Sequence, residues 1–394
     1  MAWFGKDYIQ RINSLGAFLV TFSNHFFMNT DLTKDNLRNA AYWVIVLSGV
    51  FFCLIYFRSF LEPIVLALLV WYLISTTTKL FGRIKVSGKA FPNWLQRLLA
   101  TILTLSVLWG VFSIISINVG LISDNAESYD QNLQLFLVQL KEFTDARDYI
   151  PDLRESIQEV DYQGIVSGVF NSVSTLLGNV ALVVVYVIFF LIEENYLGLK
   201  MGKLFKRKDR QQNVVDTLGS ITSAVNKYFT VKTGVSLITA VVSYLIMLAF
   251  GVDFPVLWAF IIFILNFIPY VGSLVASMLP AIFAIFQFAS FWPFLYVFLC
   301  IEAVQILVGN YLEPKMMGRT LNLSPLVVII ALSFWGSIWG ILGMILSVPI
   351  VSVTIIICAQ FPSTRGIAVL LTENGNLEEI EESESYEVQN AQAS

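Results

Sequence analysis

Two very long stretches without a charged residue occupy the last third of the chain. They are Phe254–Ile301, with 48 residues, and Thr320–Thr364, with 45 residues. About 20 apolar residues suffice for one helical crossing of a bilayer, so each stretch is too long for a single span. Residues that disfavour a smooth helix interrupt both, over Phe267–Gly272 in the first and over Trp335–Gly343 in the second. Broken backbone at membrane depth is tolerated only where it is buried in protein or lines a cavity. The pattern predicts two interrupted or re-entrant hairpins.

The composition excludes a soluble protein. Hydrophobic residues make up 57% of the chain and charged residues 13%, whereas soluble domains carry about 25% charge. The mean hydropathy is +0.73. The sequence has no phosphate-binding loop, nucleophilic triad or zinc motif. We therefore expect no enzymatic activity, catalytic residue, cofactor or metal site, and no nucleic-acid partner.

Hydropathy divides the chain into an all-α polytopic membrane protein with about eight transmembrane segments. The expected regions are an amphipathic N-terminal helix (1–40, cytoplasmic or interfacial), three spans (41–123), an acidic helical extracytoplasmic insertion (124–176), a transport core (177–365) with a basic loop (193–212), and a disordered acidic tail (366–394). The assignment of a transport core rests on the broken segments, because interrupted helices form the substrate sites of many transporters.

Loop charges predict the orientation in the membrane. Residues 79–97 hold five basic residues and no acid, and residues 193–212 are also rich in Lys and Arg. Positively charged loops stay in the cytoplasm, so both segments and the N-terminus are expected there. The acidic segment 124–161 is then external.

The two charge-free stretches resemble one another. Pro255 and Pro280 bracket the first break and are 25 residues apart, and Pro325 and Pro349 bracket the second at a separation of 24. An internal repeat would place a transport site between its two halves. Chance similarity between two apolar stretches is the alternative.

Ionisable groups inside a membrane are costly unless they face a cavity or a partner. Glu302 lies within the expected span 291–312, with Gln305 on the same helix face, and Asn310 and Glu313 follow. Gln305 and Asn310 are candidate solute-binding residues. Either carboxylate could coordinate a cation or carry a proton. Alternatively, it could form a structural ion pair, for which the candidate partners are Lys227, Lys232 and Arg319.

Polar side chains surround the first break. Asn266, Tyr270 and Ser273 flank Pro269 and Gly272. Pro269 frees an upstream carbonyl and Gly272 allows close backbone approach, so the break could bind a neutral polar solute. A plain kink whose polar groups satisfy the backbone is the other interpretation.

The second break contains Gly336, Gly340 and Gly343. These glycines could line the other half of a cavity. They could equally form close-packing faces, since small residues four apart favour helix contact.

Several ordered motifs resemble the autoinducer-2 exporter family of permease-like transporters. They are Tyr228-Phe229-x-x-Lys232-Thr233, Asn266–Gly272, Glu313-Pro314-Lys315-Met316-Met317-Gly318-Arg319 with its continuation to Leu326, and Trp339–Met344. Ser324 stands where the family often has His, which removes a titratable group. Lys232, Pro314, Gly318 and Arg319 are expected to be structural or pairing residues.

The resemblance implies a multi-pass transporter of the bacterial cytoplasmic membrane. It implies export of a small polar solute, such as a quorum-sensing furanone signal, by a homo-oligomer, and family members resemble pentamers. A sodium- or lithium–proton antiporter that uses Glu302 is a second implication. A membrane scaffold without transport is the third reading.

Overall fold

The computed structural model describes residues 34–83, 85–86, 89–143, 180–204, 208–317 and 322–377. The chain forms two compact units, one up to Ser59 and one from Phe60 onward. The predicted helix over residues 1–30 lies outside the described residues, as does the second part of the insertion (144–176). In the first unit, α1 (Lys34–Tyr56) begins before the predicted span at residue 41.

Helices make up nearly all of the second unit. They are α2 (Arg58–Arg83), α3 (Asn93–Asp124), α4 (Ala126–Phe143), α5 (Val180–Leu204), α6 (Lys208–Ala249), α7 (Pro255–Leu265), α8 (Val271–Phe288), α9 (Phe291–Leu307), a π-helical segment (Val308–Leu312), α10 (Glu313–Met317), α11 (Pro325–Gln360) and α12 (Arg365–Leu371). Within the described ranges the only sheet is an antiparallel ribbon of β1 (Lys85–Val86) and β2 (Lys89–Ala90). Among the residues that the structure describes, five helices are long and apolar enough to cross a membrane. The all-α polytopic membrane fold is therefore confirmed.

Helices α2, α3 and α5 meet around one carboxylate. Glu194 on α5 accepts hydrogen bonds from Trp71 Nε1 (3.1 Å) and Ser75 Oγ (3.3 Å) on α2. Arg97 on α3 approaches the same oxygen to 4.0 Å. Apolar side chains of the same three helices pack together, and Ile74 among them is fully buried.

Helix α6 is the central helix of the remaining core. It has 42 residues, which at 1.5 Å per residue is about 63 Å, roughly twice the thickness of a bilayer core. The stretch from Lys232 to Gly251 alone spans about 28 Å by the same rise, close to one bilayer core. We call these two levels the Lys232 end and the Asp253 end.

The first charge-free stretch forms a hairpin of two short helices, hairpin 1 (255–288). Helix α7 has 11 residues and is about 16 Å long, too short to cross the bilayer. Residues 266–270 form the turn, called tip 1, and α8 returns. At the open end, the Gln287 side chain bonds Gly251 O and Asp253 N, both at 2.8 Å. Hairpin 1 therefore opens at the Asp253 end.

The second stretch forms hairpin 2 (325–360), which is α11 broken at Trp339 and Gly340. Gly340 has φ 59° and ψ −140°, a conformation that favours glycine. Near its foot, Val328 and Val348 pack against Tyr228, one turn of α6 beyond Lys232. Hairpin 2 therefore opens at the Lys232 end, opposite to hairpin 1.

The insertion helix α4 matches the helical spacing that predicted it, and it packs on hairpin 1. Tyr129 Oη donates to Asp253 (3.2 Å), and Asn132 Nδ2 donates to the Gln287 carbonyl (2.9 Å). Burial, together with the Asp253 charge, raises the pKa of Tyr129 to about 12. Helix α4 is thus anchored at the open end of hairpin 1.

The C-terminal segment differs from the predicted disordered tail over residues 366–377. Helix α12 forms there, and Ala368 and Leu377 are buried against α11. Leu323 pairs with Thr372 in an antiparallel bridge. The sequence prediction treated all seven Glu as one segment, although six of them lie at or beyond Glu378 and the apolar residues precede them. Residues 378–394 lie outside the described part of the chain.

Candidate functional site

Tip 1 is held by an aromatic contact from α6. Tyr228 is 2% exposed, and its hydroxyl donates to the Phe267 carbonyl at 3.2 Å. This carbonyl lies two residues before Pro269, in backbone that leaves the helix. The ring of Phe229 lies 6.5 Å from that of Phe267 and 5.3 Å from that of Tyr72. Tip 1 is therefore fixed to α6, which in turn contacts α2.

Lys232 and Glu313 form an ion pair, with Nζ and Oε1 separated by 2.5 Å. Lys232 is buried, with 6% of its surface exposed. A buried charge without a partner destabilises a fold strongly, and the pair here links α6 to α10. This geometry favours a structural ion pair as the role of Glu313. The adjacent Pro314 is exposed. Gly318 and Arg319 lie outside the described residues.

Tip 1 carries the polar residues that the sequence singled out. The Asn266 side chain is half-buried, and it makes no hydrogen bond with any residue that the structure describes. Tyr270 has φ 59° and ψ −59°, a strained conformation for a bulky residue. Such strain clusters at functional sites. Ser273 donates to Tyr270 O at 3.0 Å, a bond within the first turn of α8, and the half-buried Pro269 lies in the turn before it.

Glu302 lies on α9 and contacts hairpin 1 directly. Ser277 on α8 is fully buried, and its hydroxyl donates to the Glu302 carboxylate. Gln305, one turn further along α9, is 6% exposed. Asn310 lies in the π-helical segment with an exposed side chain. The structure brings Ser277 and Glu302 together but shows no such contact for Asn310 among the described residues.

Two glycines near tip 2 (residues 339–340) lie in closely packed surroundings. A Cβ atom on Gly343 would lie 1.9 Å from the Trp335 carbonyl oxygen, so only glycine fits. At tip 1, a Cβ atom on Gly272 would lie 1.9 Å from the Leu265 carbonyl oxygen. Both hairpins thus use a glycine in the returning arm to approach a carbonyl of the entering arm. On Gly336 a Cβ atom would meet the Met344 side chain at 2.9 Å.

Sequence reasoning missed two residues of this region. Trp339 is 9% exposed, and its indole N–H has no hydrogen-bond partner among the described residues. Ser277 was passed over as an ordinary polar residue in an apolar run. Its position 25 residues before Glu302 gave no signal, because their contact depends on how α8 and α9 pack. Within the described ranges, no group of three or more His, Cys, Asp or Glu residues could hold a metal ion.

Comparison with known proteins decides the family. The sequence model described as "AI-2E family transporter" matches residues 42–363. The chain belongs to the AI-2E transporter family. This match confirms the resemblance drawn from the motifs, and together with the long apolar helices it supports a multi-pass membrane protein of a transporter family.

Individual relatives are similar over different lengths. A putative transport protein of Haemophilus influenzae is 29% identical over 362 residues, which cover 87% of this chain and 97% of that protein. The AI-2 transport protein TqsA of Escherichia coli strain K12 is 32% identical over 212 residues, covering 53% and 60%. A putative transport protein of Borreliella burgdorferi is 31% identical over 223 residues, covering 55% and 60%. The matched segment thus spans 60% of the length of the last two relatives.

Proposed function

We propose that this protein exports a small, neutral, polar solute across the cytoplasmic membrane, and that the solute binds at the broken backbone of the hairpin tips. The observation that carries the proposal is the opposed arrangement of the two hairpins. Each enters the core from a different end of α6, and each ends in non-helical backbone. Unwound backbone at membrane depth is where transporters of several folds bind their substrates.

The chemistry of tip 1 supports a neutral solute. The Asn266 amide can both donate and accept hydrogen bonds, and it has no partner among the described residues. Lys232, which lies one turn of α6 from Tyr228, is paired with Glu313. A hydroxylated furanone, the kind of solute that the family resemblance implies, has suitable size and polarity.

The direction of transport rests on the orientation. The basic segments 79–97 and 193–212 favour a cytoplasmic Lys232 end and an external Asp253 end. Hairpin 2 then opens toward the cytoplasm and hairpin 1 toward the outside. A solute would pass from the arms of hairpin 2 to those of hairpin 1 as the site opens first to the cytoplasm and then to the outside.

A second candidate function, sodium- or lithium–proton exchange, is favoured by one contact. The Ser277 hydroxyl donates to the Glu302 carboxylate on a membrane-crossing helix. A half-buried carboxylate at this depth can bind and release a proton. Exchange would require Glu302 to remain titratable.

Flux measurements in proteoliposomes test both candidates. Vesicles are loaded with a hydroxylated furanone, and release is followed for the wild type, Asn266→Ala and Glu302→Gln, with and without a pH or sodium gradient. The exporter proposal predicts furanone release that Asn266→Ala slows and Glu302→Gln preserves. Cation–proton exchange that Glu302→Gln abolishes, without furanone release, would support the second candidate. If neither flux occurs, the export proposal is wrong.

A further inference from the structure

One buried side chain of α6, that of Tyr228, contacts both hairpins. Its hydroxyl donates a hydrogen bond to the Phe267 carbonyl at tip 1, at 3.2 Å. Its ring belongs to a buried cluster with Val328 on the entering arm of hairpin 2 and Val348 on the returning arm. These three clustered side chains are 2%, 8% and 4% exposed. A single residue of the central helix therefore joins the end of hairpin 1 to both arms of hairpin 2.

The two hairpins are connected mainly through α6. Helix α6 packs extensively against α7 and against α11. In the part of the chain that the structure describes, no comparable packing joins α7 or α8 directly to α11. A displacement of one hairpin is therefore transmitted to the other through the residues of α6 that contact both.

The Tyr228 hydroxyl satisfies a carbonyl that the broken helix leaves without its usual donor. In a continuous helix, the Val271 N–H would donate to the Phe267 carbonyl. Here that N–H donates to Pro269 O instead, at 2.6 Å. Among the described residues, Tyr228 alone donates to the Phe267 carbonyl. Phe267 is buried, so loss of this donor would leave an unpaired polar group inside the protein.

Tip 1 is strained next to this carbonyl. Tyr270, three residues further on, has φ 59° and ψ −59°, which a bulky side chain rarely adopts. Such backbone persists only while the surrounding structure holds it. The hydrogen bond from Tyr228 and the ring contact between Phe229 and Phe267 hold tip 1 against α6. Loss of the hydrogen bond would therefore let tip 1 relax away from α6.

We infer that Tyr228 is a positioning residue that couples the two hairpins, because its ring packs with both arms of hairpin 2 while its hydroxyl holds tip 1. When the arms of hairpin 2 separate, the ring loses the packing that orients it, and its hydrogen bond to Phe267 breaks. The inference rests on the proposed function, in which the site opens to one side and then to the other, and names the residue that transmits this movement. Its test requires no solute, so failure of export and failure of the coupling are separate results.

The test measures how often tip 1 opens. A single cysteine is introduced by Ile268→Cys, at a tip 1 position that is 4% exposed, in a variant without Cys53, Cys300 and Cys358. A buried thiol reacts with a soluble maleimide only during local opening. The labelling rate of the purified protein in detergent therefore reports the open population of tip 1.

Two substitutions act on the two sides of the coupling. Tyr228→Phe removes the hydroxyl and keeps the ring, and should raise the labelling rate about five- to tenfold, as the loss of one buried hydrogen bond predicts. Val348→Ala loosens the packing of the ring on hairpin 2 and should raise the rate at tip 1 about threefold. In the Tyr228→Phe background, Val348→Ala should have little further effect, because the hydrogen bond that transmits it is absent.

Two matched controls separate coupling from a general loss of stability. Val351 lies on the same arm as Val348 and is 7% exposed, but it belongs to a different buried cluster, with Ile355. Val351→Ala therefore makes the same chemical change away from the Tyr228 cluster. Tyr129→Phe removes a hydroxyl at the open end of hairpin 1, where it donates to Asp253. Neither control should change the labelling rate at tip 1.

Three outcomes contradict the inference. Unchanged labelling in Tyr228→Phe would show that other contacts hold tip 1. An effect of Val348→Ala that is equally large with and without the Tyr228 hydroxyl would show that the coupling takes another route. Equal effects of Val348→Ala and Val351→Ala would show general loosening. Val328→Ala, on the other arm, should act as Val348→Ala does, and the comparison of both with Val351→Ala decides the question even if Tyr228→Phe fails to fold.

Discussion

Gly272→Ala tests whether tip 1 closes as tightly as the structure indicates. The added Cβ would lie 1.9 Å from the Leu265 carbonyl oxygen and 2.9 Å from Ile268 Cβ. Real Cβ contacts are essentially never shorter than 3.0 Å, so the two arms must separate by about 1 Å. Backbone cannot yield as a flexible side chain does, and overpacking of this kind costs about 1–3 kcal/mol or more.

A matched control exists on the same core. Gly219 lies within α6, and a Cβ atom there would meet nothing within 4 Å. Gly219→Ala should be neutral or stabilise the helix by up to about 1 kcal/mol, because glycine is a poor helix former. Gly343→Ala should behave like Gly272→Ala, since its Cβ would also lie 1.9 Å from a carbonyl oxygen.

The assay is thermal unfolding of the purified protein in detergent, followed by intrinsic fluorescence. We expect both tip variants to unfold several degrees below the wild type and Gly219→Ala at or above it. Solute flux should fall in the tip variants even at temperatures where they are folded. Equal unfolding temperatures for Gly272→Ala and Gly219→Ala would refute the close approach at tip 1.

Three further predictions concern contacts outside the tips. Glu313→Leu leaves the buried Lys232 without a partner and should destabilise the protein by about 3–5 kcal/mol, while Glu313→Leu combined with Lys232→Met should recover most of this loss in the same unfolding assay. Tyr129→Phe removes the hydrogen bond to Asp253. The pKa of Tyr129 is raised in the folded protein from 10.0 to about 12, so the contribution of its hydroxyl to stability is complete below pH 10. The difference in unfolding temperature between wild type and variant should therefore be largest below pH 10 and shrink as the pH rises toward 12. A difference that instead grows above pH 10 would contradict this contact. Glu194→Leu removes the acceptor shared by two α2 side chains and approached by Arg97; it should lower the unfolding temperature while leaving the KM for solute unchanged, and a changed KM would place Glu194 in the transport path.

Sequence patterns predicted the helical hairpins because their causes are local. Proline lacks a backbone donor and glycine permits close approach, so Pro269, Gly272 and Gly340 could be interpreted without tertiary information. The matching spacing in the two stretches also anticipated the shared use of glycine at both tips. The sequence predicted the depth of each hairpin in the membrane less directly, because that depth depends on how many residues precede each break.

Tertiary packing decided what the sequence left open. Three basic residues were candidate partners for Glu313, and only the approach of α6 to α10 selects Lys232. Ser277 gained its importance from the packing of α8 against α9. The unpaired indole of Trp339 has no signature in sequence, because lacking a partner is a property of the surroundings.

The measurement that tests the central claim most directly is the sidedness of both hairpins. Single cysteines are placed at Asp253 and Ser290 for hairpin 1 and at Asn322 and Ser363 for hairpin 2, in a variant without the three native cysteines. Intact cells and inverted vesicles are then labelled with a membrane-impermeant maleimide. The account predicts that both positions of hairpin 1 react from one side of the membrane and both positions of hairpin 2 from the other. Labelling of the two ends of either hairpin from opposite sides would show that it crosses the membrane, and would contradict a transport site built on two opposed hairpins.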